Sequence, residues 1–336
     1  MRKGTGNLRA SDLGERRIIE IFRESLEMPT DMALPFGDDA SAVCLPGGLA
    51  GVLKTDMLVA KTDVLPGMSV EQAARKAVVM NISDFAAKGV RPLAILVSVG
   101  LPASLTRDEI AQIGRGLNQG AREYGTFVVG GDTNEADDLV ISCSLFGVCD
   151  PGLLVARSGG RVGDIVVVTG PFGNTGAGFK ILLEGMQSPP EVRERILESV
   201  YTPKARLELG LMLAERRLVS SSIDSSDGLA WCLHELSLAS KVGFELNRVP
   251  VSAEARAFAA ANGLSPEELA LYSGEEYELV LTMPPGKLDE AMSLTDTLGS
   301  KITPIGRVVE RSRGIVLRIN GEERQLPVKG WEHFSS

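Results

Sequence analysis

The feature that most constrains this chain is the recurrence of acidic residues where apolar runs give way to glycine or small polar residues. The stretch Gly37-Asp38-Asp39-Ala40 precedes the apolar run Ala42-Val43-Cys44-Leu45 and predicts a turn that opens onto a strand. Comparable stretches follow along the chain: Thr55-Asp56, Asn81-Ile82-Ser83-Asp84, Gly130-Gly131-Asp132-Thr133 and Asp224-Ser225-Ser226-Asp227-Gly228. Because ligands of layered α/β proteins bind at strand ends, this pattern predicts that the acids converge on one cation-binding site.

Each acid taken alone has a simpler explanation. Aspartate is common in glycine-rich turns because its side chain bonds nearby backbone and caps helices, so any one of these residues can be purely structural. The pairs Asp38-Asp39 and Asp224/Asp227, however, place like charges close together, which is unfavourable unless a cation or solvent separates them. The whole set therefore favours a cation site, and the turn role stays open as the alternative for each member.

The length and composition are those of a globular protein with two domains. At about 150 residues per domain, the 336 residues suffice for two cores, and the 44% hydrophobic and 24% charged residues are ordinary fractions. The break Asp150-Pro151-Gly152 predicts a boundary between domains 1–150 and 151–336. Strands, helices and hairpins in mixed order predict an α/β (α+β) protein whose first domain contains a mixed sheet.

Charge and residue types exclude several function classes. The net charge of −9 argues against a nucleic acid or an anionic membrane surface as a partner, and the longest apolar run, Leu93 to Leu101, is too short to span a membrane. A cytoplasmic location is therefore predicted. The two histidines exclude a multi-histidine zinc site, and the four cysteines form no Cys-x-x-Cys pair and predict buried thiols. Carboxylates must then carry any metal, which favours Mg²⁺.

Capping patterns predict the main helices. Asp12 with Glu15 predicts a helix over residues 12–27, and Ser69 with Gln72 predicts one that runs to Lys88 before Gly89. Apolar runs predict strands, among them a short buried strand at 127–129, strands at 164–169, 279–283 and 302–309, and a hairpin around Asn320-Gly321.

Two motifs have open alternatives. Asn81 and Asp84 share one face of the helix that ends at Lys88, where they either bond locally or point at a ligand. The glycine-rich stretch 170–178 between a strand and a helix either presents backbone N–H groups to phosphate or is a plain tight turn. It is not a Walker A loop, because Phe179 stands where the lysine is required.

Taken in order, these motifs resemble the thiamine-monophosphate kinases, of the superfamily that also contains aminoimidazole ribonucleotide synthetase, selenophosphate synthetase and a hydrogenase-maturation protein. The resemblance covers nearly the whole chain. Besides the acidic stretches above, it is carried by Arg157-Ser158-Gly159, Gly163-Asp164, Ser273-Gly274-Glu275-Glu276-Tyr277-Glu278-Leu279, Ile305-Gly306-Arg307-Val308 and Gly330-Trp331-Glu332-His333-Phe334. It implies a two-domain fold like that of aminoimidazole ribonucleotide synthetase, with the first domain pairing across a dimer axis to close a barrel.

The resemblance also implies an activity and a site. The activity is transfer of the γ-phosphoryl group of ATP to thiamine phosphate, in a homodimer with several Mg²⁺ ions and no catalytic side chain beyond the metal ligands. The implied metal ligands are Asp39, Thr55, Asp56, Asp84, Asp132, Asp224 and Asp227. The implied ATP-binding residues are Asp39, Gly131, Asp132, Arg157 and Ser226. The implied thiamine phosphate pocket contains Asp63, Glu275 and Trp331, although Trp331 is open to a second interpretation as an aromatic plug that fixes the C-terminus.

The chain departs from the family pattern on the acceptor side. Asp63 stands where many members have a histidine, and Gly274-Glu275-Glu276-Tyr277 replaces the usual Gly-Glu-Asp-Tyr. Two other functions stay open from the sequence. One is a sister activity of the same fold, although the selenophosphate activity requires a reactive cysteine near the N-terminus and residues 1–36 contain none. The other is a nucleotide-binding module without catalysis.

Overall fold

The computed structural model of the chain describes residues 8–319 and 321–331. The predicted turn at Asn320-Gly321 and the Glu332-His333-Phe334 part of the C-terminal motif therefore lie wholly or partly outside the described residues. Within the described ranges, the strands form two mixed sheets, one of six strands and one of seven. The predicted mixed α/β architecture is confirmed.

The first sheet lies within residues 32–149. Its strands are β1 (Met32–Leu34), β2 (Ser41–Cys44), β3 (Ala50–Val59), β4 (Pro92–Leu101), β5 (Val128–Glu135) and β6 (Val140–Cys149). Their order across the sheet is β1-β2-β3-β6-β4-β5, and every neighbouring pair is antiparallel except β4 and β5. The long antiparallel ladder between β3 and β6 begins at Ala50 opposite Cys149 and ends at Val59 opposite Val140.

The second sheet lies within residues 165–325. Its strands are β7 (Ile165–Val168), β8 (Ser221–Asp224), β9 (Gly243–Leu246), β10 (Leu279–Met283), β11 (Thr303–Val309), β12 (Ile315–Ile319) and β13 (Glu322–Gln325). Their order is β13-β12-β9-β11-β7-β10-β8, so β8, which ends at Asp224, is an edge strand. The domain boundary predicted at residue 150 falls between the two sheets and stays a prediction.

Twelve α-helices complete the described part of the chain. They are α1 (Ala10–Leu13), α2 (Glu15–Ser25), α3 (Ala60–Asp63), α4 (Val70–Lys88), α5 (Arg107–Glu123), α6 (Asn174–Leu183), α7 (Pro190–Tyr201), α8 (Leu207–Glu215), α9 (Leu229–Ser240), α10 (Ala253–Asn262), α11 (Pro266–Tyr272) and α12 (Leu288–Thr297). No helix among the described residues is long and apolar enough to cross a membrane.

Helix α4 connects the two sheets. Ser69 and Gln72 form the predicted capping box at its start, and Gly89 ends it in the left-handed conformation that glycine adopts without strain. The helix packs on β3 and β6 of the first sheet and also on α8 and β8 of the second half. Nearly all of its residues are buried, so its polar side chains face protein on every side.

Several predicted elements differ from the structure. The helix predicted over 12–27 is divided by Gly14, whose φ of 73° interrupts helical geometry, and Arg9 precedes the first turn where Asp12 was expected to cap. The strand predicted to be short and buried at 127–129 is the longer β5, whose residues are all exposed. Helix α12 was not predicted. Of the four cysteines, Cys143 and Cys232 are buried as predicted, whereas Cys44 is exposed and Cys149 is half-buried.

Candidate active site

Three acids from distant parts of the chain meet between the two sheets. Asp39 precedes β2, Asp84 lies on the last turns of α4, and Asp224 ends β8. All three are buried, and one carboxylate oxygen from each lies within 4.8 Å of the others. The site therefore depends on α4 packing against the end of β8.

Two further predicted ligands adjoin this carboxylate cluster of Asp39, Asp84 and Asp224. The ammonium of Lys54 lies 3.1 Å from Asp56 Oδ1 and 3.0 Å from Asp84 Oδ2, so Asp56 is joined to the cluster through a lysine. Asp227 follows Asp224 by three residues, and the negative charge of Asp224 raises its pKa. The Asp56 backbone N–H donates to Asn81 Oδ1, which fixes β3 against α4.

Burial and mutual repulsion raise the pKa values of several carboxylates in and beside the cluster. Burial, followed by repulsion from Asp39, raises the pKa of Asp224 to about 6, although Ser83 Oγ donates a hydrogen bond to it at 2.7 Å. Burial and the charge of Asp224 raise the pKa of Asp227 to about 7. Burial also raises the pKa of Asp84 well above its usual range, against the attraction of Lys54. Oxygen donors of this kind fit Mg²⁺, which would supply the missing positive charge.

Asp39 differs from the other two acids because two protein cations, Arg157 and Lys88, contact it. Arg157 Nε lies 2.7 Å from Asp39 Oδ1, and Lys88 Nζ lies 2.8 Å from Oδ2. Although burial alone raises the pKa of Asp39, these two cations hold it below its ordinary value. Arg157 also donates to Gly37 O and, through its backbone N–H, to Asp38 Oδ2. Any nucleotide that Arg157 binds must therefore share this side chain with the loop at Asp38-Asp39.

Thr55 and Asp132 lie on the face of the first sheet that points away from α4. Gly131 precedes Asp132 on β5. Side chains alternate along a strand, so Thr55 points away from the side on which Lys54 and Asp56 meet α4. Asp132 pairs with Ser98 on exposed β5. Within one chain, the structure therefore does not bring Thr55 and Asp132 to the carboxylate cluster. Position 131 requires glycine for a structural reason as well, because a Cβ there would lie 1.8 Å from Val97 O.

The residues predicted for the acceptor pocket are linked by a buried lysine. Lys76 Nζ on α4 lies 2.6 Å from Glu275 Oε1 and donates to the backbone carbonyl of Asp63 at 3.1 Å. The carboxylate of Asp63 accepts the Val59 N–H at 2.7 Å, which ties the last residue of α3 to the residue before the helix. These contacts hold the Asp63 segment, α4 and the loop of Glu275 together at one place.

Ser226 and Trp331 border the same region. The Ser226 carbonyl accepts the Glu275 N–H at 2.7 Å, and the Asp227 carbonyl accepts the Trp331 N–H at 3.1 Å. Ser226 is exposed, and Trp331 keeps 55% of its surface accessible. The adjacent residues Ser226 and Asp227 thus connect the segment of Glu275 to the segment of Trp331 through their backbone carbonyls.

The glycine-rich stretch already holds an anion of the protein itself. The backbone N–H groups of Gly173 and Thr175 donate to Glu276 Oε1 at 2.5 and 3.3 Å. Burial, opposed by these hydrogen bonds, raises the pKa of Glu276 to about 7. Because Glu276 occupies the start of α6, the structure supports the tight-turn interpretation of this loop over the phosphate interpretation.

Sequence reasoning missed three lysines that contact acids of the site, which are Lys54, Lys76 and Lys88. It noted Glu276 only as a departure from the family pattern, and not as the partner of the glycine-rich loop. Lys54 immediately precedes the recognised Thr55-Asp56 motif, so its place in the sequence could have indicated a lysine at the site. Lys76 and Lys88 lie on an apolar helix and gave no periodic pattern that separates a buried lysine from a surface one.

Comparison with known proteins identifies the family. The chain matches the N-terminal domain of AIR synthase related proteins over residues 37–149 and their C-terminal domain over residues 161–318. It is 35% identical over 324 residues to the thiamine-monophosphate kinase of Nitrosopumilus maritimus, across 96% of this chain and 99% of that protein. The chain belongs to the thiamine-monophosphate kinase family. The resemblance inferred from the ordered motifs is thereby confirmed.

Other proteins similar to this chain support the same family and fold. The chain is 37% identical over 317 residues to the thiamine-monophosphate kinase of Pyrococcus horikoshii, across 94% of this chain and 95% of that protein. A solved structure described as AaThiL complexed with AMPPCP and TMP superposes with a TM-score of 0.84 at 28% identity, and the match covers 98% of this chain and all of that one (100%). The two-domain fold expected from the resemblance is therefore the fold of this chain.

We expect the stabilisation of the protein by Mg²⁺ to grow between about pH 4 and about pH 7. The pKa values of Asp224 and Asp227 rise from 3.8 to about 6 and about 7, so across this window the metal-free folded state binds more protons than the unfolded state. Its stability therefore falls as the pH rises, and a divalent cation that replaces those protons restores it. Melting temperatures with EDTA and with Mg²⁺ across the window measure this; an equal gain at both ends would contradict it.

Proposed function

We propose that this protein transfers the γ-phosphoryl group of ATP to thiamine phosphate, which yields thiamine diphosphate and ADP. The observation that carries the proposal is the meeting of Asp39, Asp84 and Asp224 in a chain of the thiamine-monophosphate kinase family. The similar AaThiL structure was described with AMPPCP and TMP together, which supports ATP and thiamine phosphate as the two substrates here. A cytoplasmic location belongs to the same proposal.

In the proposed mechanism, the acceptor phosphate attacks the γ-phosphorus directly and in line. The second pKa of a phosphate monoester is ~6, so the acceptor is already mostly dianionic near neutral pH and needs no general base. The obstacle is charge repulsion between this dianion and the ATP tail. Mg²⁺ ions held by Asp39, Asp56, Asp84, Asp224 and Asp227 would neutralise that charge and align the phosphates.

The surrounding residues have binding roles in this proposal. On the nucleotide side, Arg157 and Ser226 lie next to the acids that would hold the metal, Arg157 through its contact with Asp39. On the acceptor side, Lys76 positions Glu275 and the Asp63 segment against each other, and Trp331 lies across from them beside Asp227. In this proposal the two groups of residues bind the two substrates on either side of the carboxylate cluster, so that their phosphates meet there.

A homodimer is part of the proposal, and an exposed apolar face supports it. Leu53, Met57, Leu96 and Phe146 are 50%, 57%, 54% and 39% exposed on neighbouring strands of the first sheet. A face of this kind marks an interaction surface, and pairing with a second copy would cover it. Thr55 and Asp132 lie on the same face, so a partner that covers it would also approach these two predicted ligands.

The reaction can be tested by incubating the protein with ATP, Mg²⁺ and thiamine phosphate and following the products by phosphorus NMR. We expect the diphosphate signals of thiamine diphosphate and ADP to appear together. ATP labelled at the γ-position should leave no label on the denatured protein, because the acceptor is itself the nucleophile. Loss of ATP without thiamine diphosphate, or a stable phospho-aspartate, would overturn the proposed reaction or its direct mechanism respectively.

Trp331→Ala should weaken the binding of thiamine phosphate and leave stability nearly unchanged. An indole that stacks on the cationic thiazolium contributes ~0.5–2 kcal/mol, or roughly 2- to 30-fold in KM. With 55% of its surface exposed, Trp331 contributes little burial that a truncation could remove. The measurements are KM for each substrate and the melting temperature. A lower melting temperature with an unchanged KM for thiamine phosphate would instead support the aromatic-plug interpretation.

A further inference from the structure

Two lysines lie among the acids, and they are held in different ways. Lys88, at the end of α4, and Lys54, on β3, each contact two carboxylates. No other part of the proposed mechanism uses them. A cationic side chain between two carboxylates occupies the kind of position that a metal ion takes, so each lysine bears directly on how the acids bind metal.

Lys88 is a fixed ion. Its side chain is fully buried, and its ammonium lies 2.6 Å from Asp38 Oδ1, 2.8 Å from Asp39 Oδ2 and 2.9 Å from Ser222 O. The ammonium donates hydrogen bonds to Asp38 Oδ1 and Ser222 O, and its contact with Asp39 Oδ2 is an ion pair. Removing it would leave the buried carboxylates of Asp38 and Asp39 without this charge, and none of its side chain is accessible to water.

Lys54 is held less completely. Its ammonium contacts Asp56 Oδ1 at 3.1 Å and Asp84 Oδ2 at 3.0 Å, and 16% of its side-chain surface remains accessible. Among the described residues it has these two acceptors, which leaves one N–H donor for solvent. Burial alone would lower the pKa of Lys54, but Asp56 and Asp84 raise it above its ordinary value, so the ammonium stays charged.

We infer that Lys54 is an exchangeable counter-ion of the site, which neutralises Asp56 and Asp84 when no metal is bound and withdraws, still protonated, when a divalent cation takes its place. A divalent cation bound to Asp56 and Asp84 would repel an ammonium that lies between the same two carboxylates. The lysine stem has four rotatable bonds and an accessible side, so it can carry the charge away from the acids. Lys54 would thereby set the affinity for the metal, and Lys88 would remain in place.

The inference rests on the proposed function only through the divalent cation, so metal binding is measured without substrates. Lys54→Met removes the charge and keeps the length of the side chain. In EDTA we expect this variant to melt several degrees below wild type, and Mg²⁺ to remove the difference. Calorimetric titration with Mn²⁺ should give a dissociation constant about tenfold lower than that of wild type, because the competing charge is gone.

Two controls make the result specific. Lys61→Met, on exposed α3, should match wild type in both measurements. Lys54→Arg keeps the charge and should keep the dissociation constant for Mn²⁺ near that of wild type. Weaker or unchanged Mn²⁺ binding in Lys54→Met would overturn the inference. A Lys54→Met protein that fails to fold at every Mn²⁺ concentration would also overturn it, because Lys54 would then be a fixed ion like Lys88.

The reaction itself is a separate readout. If Lys54→Met binds Mn²⁺ more tightly but neither wild type nor any variant converts thiamine phosphate, the proposed function fails and the counter-ion role stands. If wild type forms thiamine diphosphate while Lys54→Met and wild type have the same dissociation constant for Mn²⁺, the function stands and the counter-ion role fails.

Discussion

Asp224→Asn should reduce kcat by on the order of 10³-fold while the metal-free protein becomes more stable. Asparagine has the shape of aspartate and can still accept the hydrogen bond from Ser83, but it lacks the charge that would hold the metal. Because the pKa of Asp224 is raised from 3.8 to about 6, the buried carboxylate opposes folding at neutral pH, and its removal should contribute up to about 3 kcal/mol to the free energy of unfolding.

Steady-state kinetics at saturating Mg²⁺ and denaturant unfolding in EDTA measure the two effects. Asp56→Asn and Asp132→Asn should lose activity to a similar degree if both are metal ligands. Asp150→Asn is the matched control, because Asp150 only caps a short 3₁₀ turn through Gly152 and asparagine caps as well. Near-wild-type turnover in Asp224→Asn would show that the carboxylate cluster does not hold the catalytic metal.

Met57→Glu should convert the proposed dimer into monomers and abolish most of the activity. Met57 is 57% exposed near the middle of the apolar face of the first sheet, so a dimer that covers this face would bury the new carboxylate twice, once from each copy. Burial of uncompensated charge at a small interface weakens association by several kcal/mol, on the order of 10³-fold or more.

Sedimentation of wild type should give about twice the chain mass of 35.8 kDa, and sedimentation of Met57→Glu the chain mass itself. Leu183→Glu is the matched control, since Leu183 is 63% exposed at the end of α6 and lies outside the first sheet. It should remain dimeric and active. A fully active Met57→Glu monomer would refute both the dimer through this face and the contribution of its residues to the site.

Much of the fold followed from local sequence signals. The capping box at Ser69 and Gln72, the glycine at position 89 and the apolar run at 279–283 act within a few residues, and the helix and strand they predict are present. The mixed architecture also followed, because the order of strands and helices along the chain is itself sequence information. The start of the first helix was misjudged, because Asp12 with Glu15 predicted one helix from residue 12 whereas Gly14 separates α1 from α2.

The acidic residues of the site were equally visible in the sequence. Charges that are costly to place together stand out as motifs, and the order of those motifs was sufficient to indicate the family. What the motifs could not show is which acids meet. Asp56 and Thr55 are neighbours in sequence, but strand alternation sends one to the carboxylate cluster and the other to the exposed face.

The tertiary structure alone decided the electrostatics. Lys54 and Lys88 look like ordinary surface lysines in sequence, because burial of a lysine depends on which strand and helix pack around it. Packing of α4 against β3 and β8 places Lys88 against Asp38 and Asp39, and Lys54 against Asp56 and Asp84. The sequence by itself therefore determined that this protein concentrates carboxylates in a kinase fold, whereas only the packing determined which of those charges are already neutralised and which still require a cation.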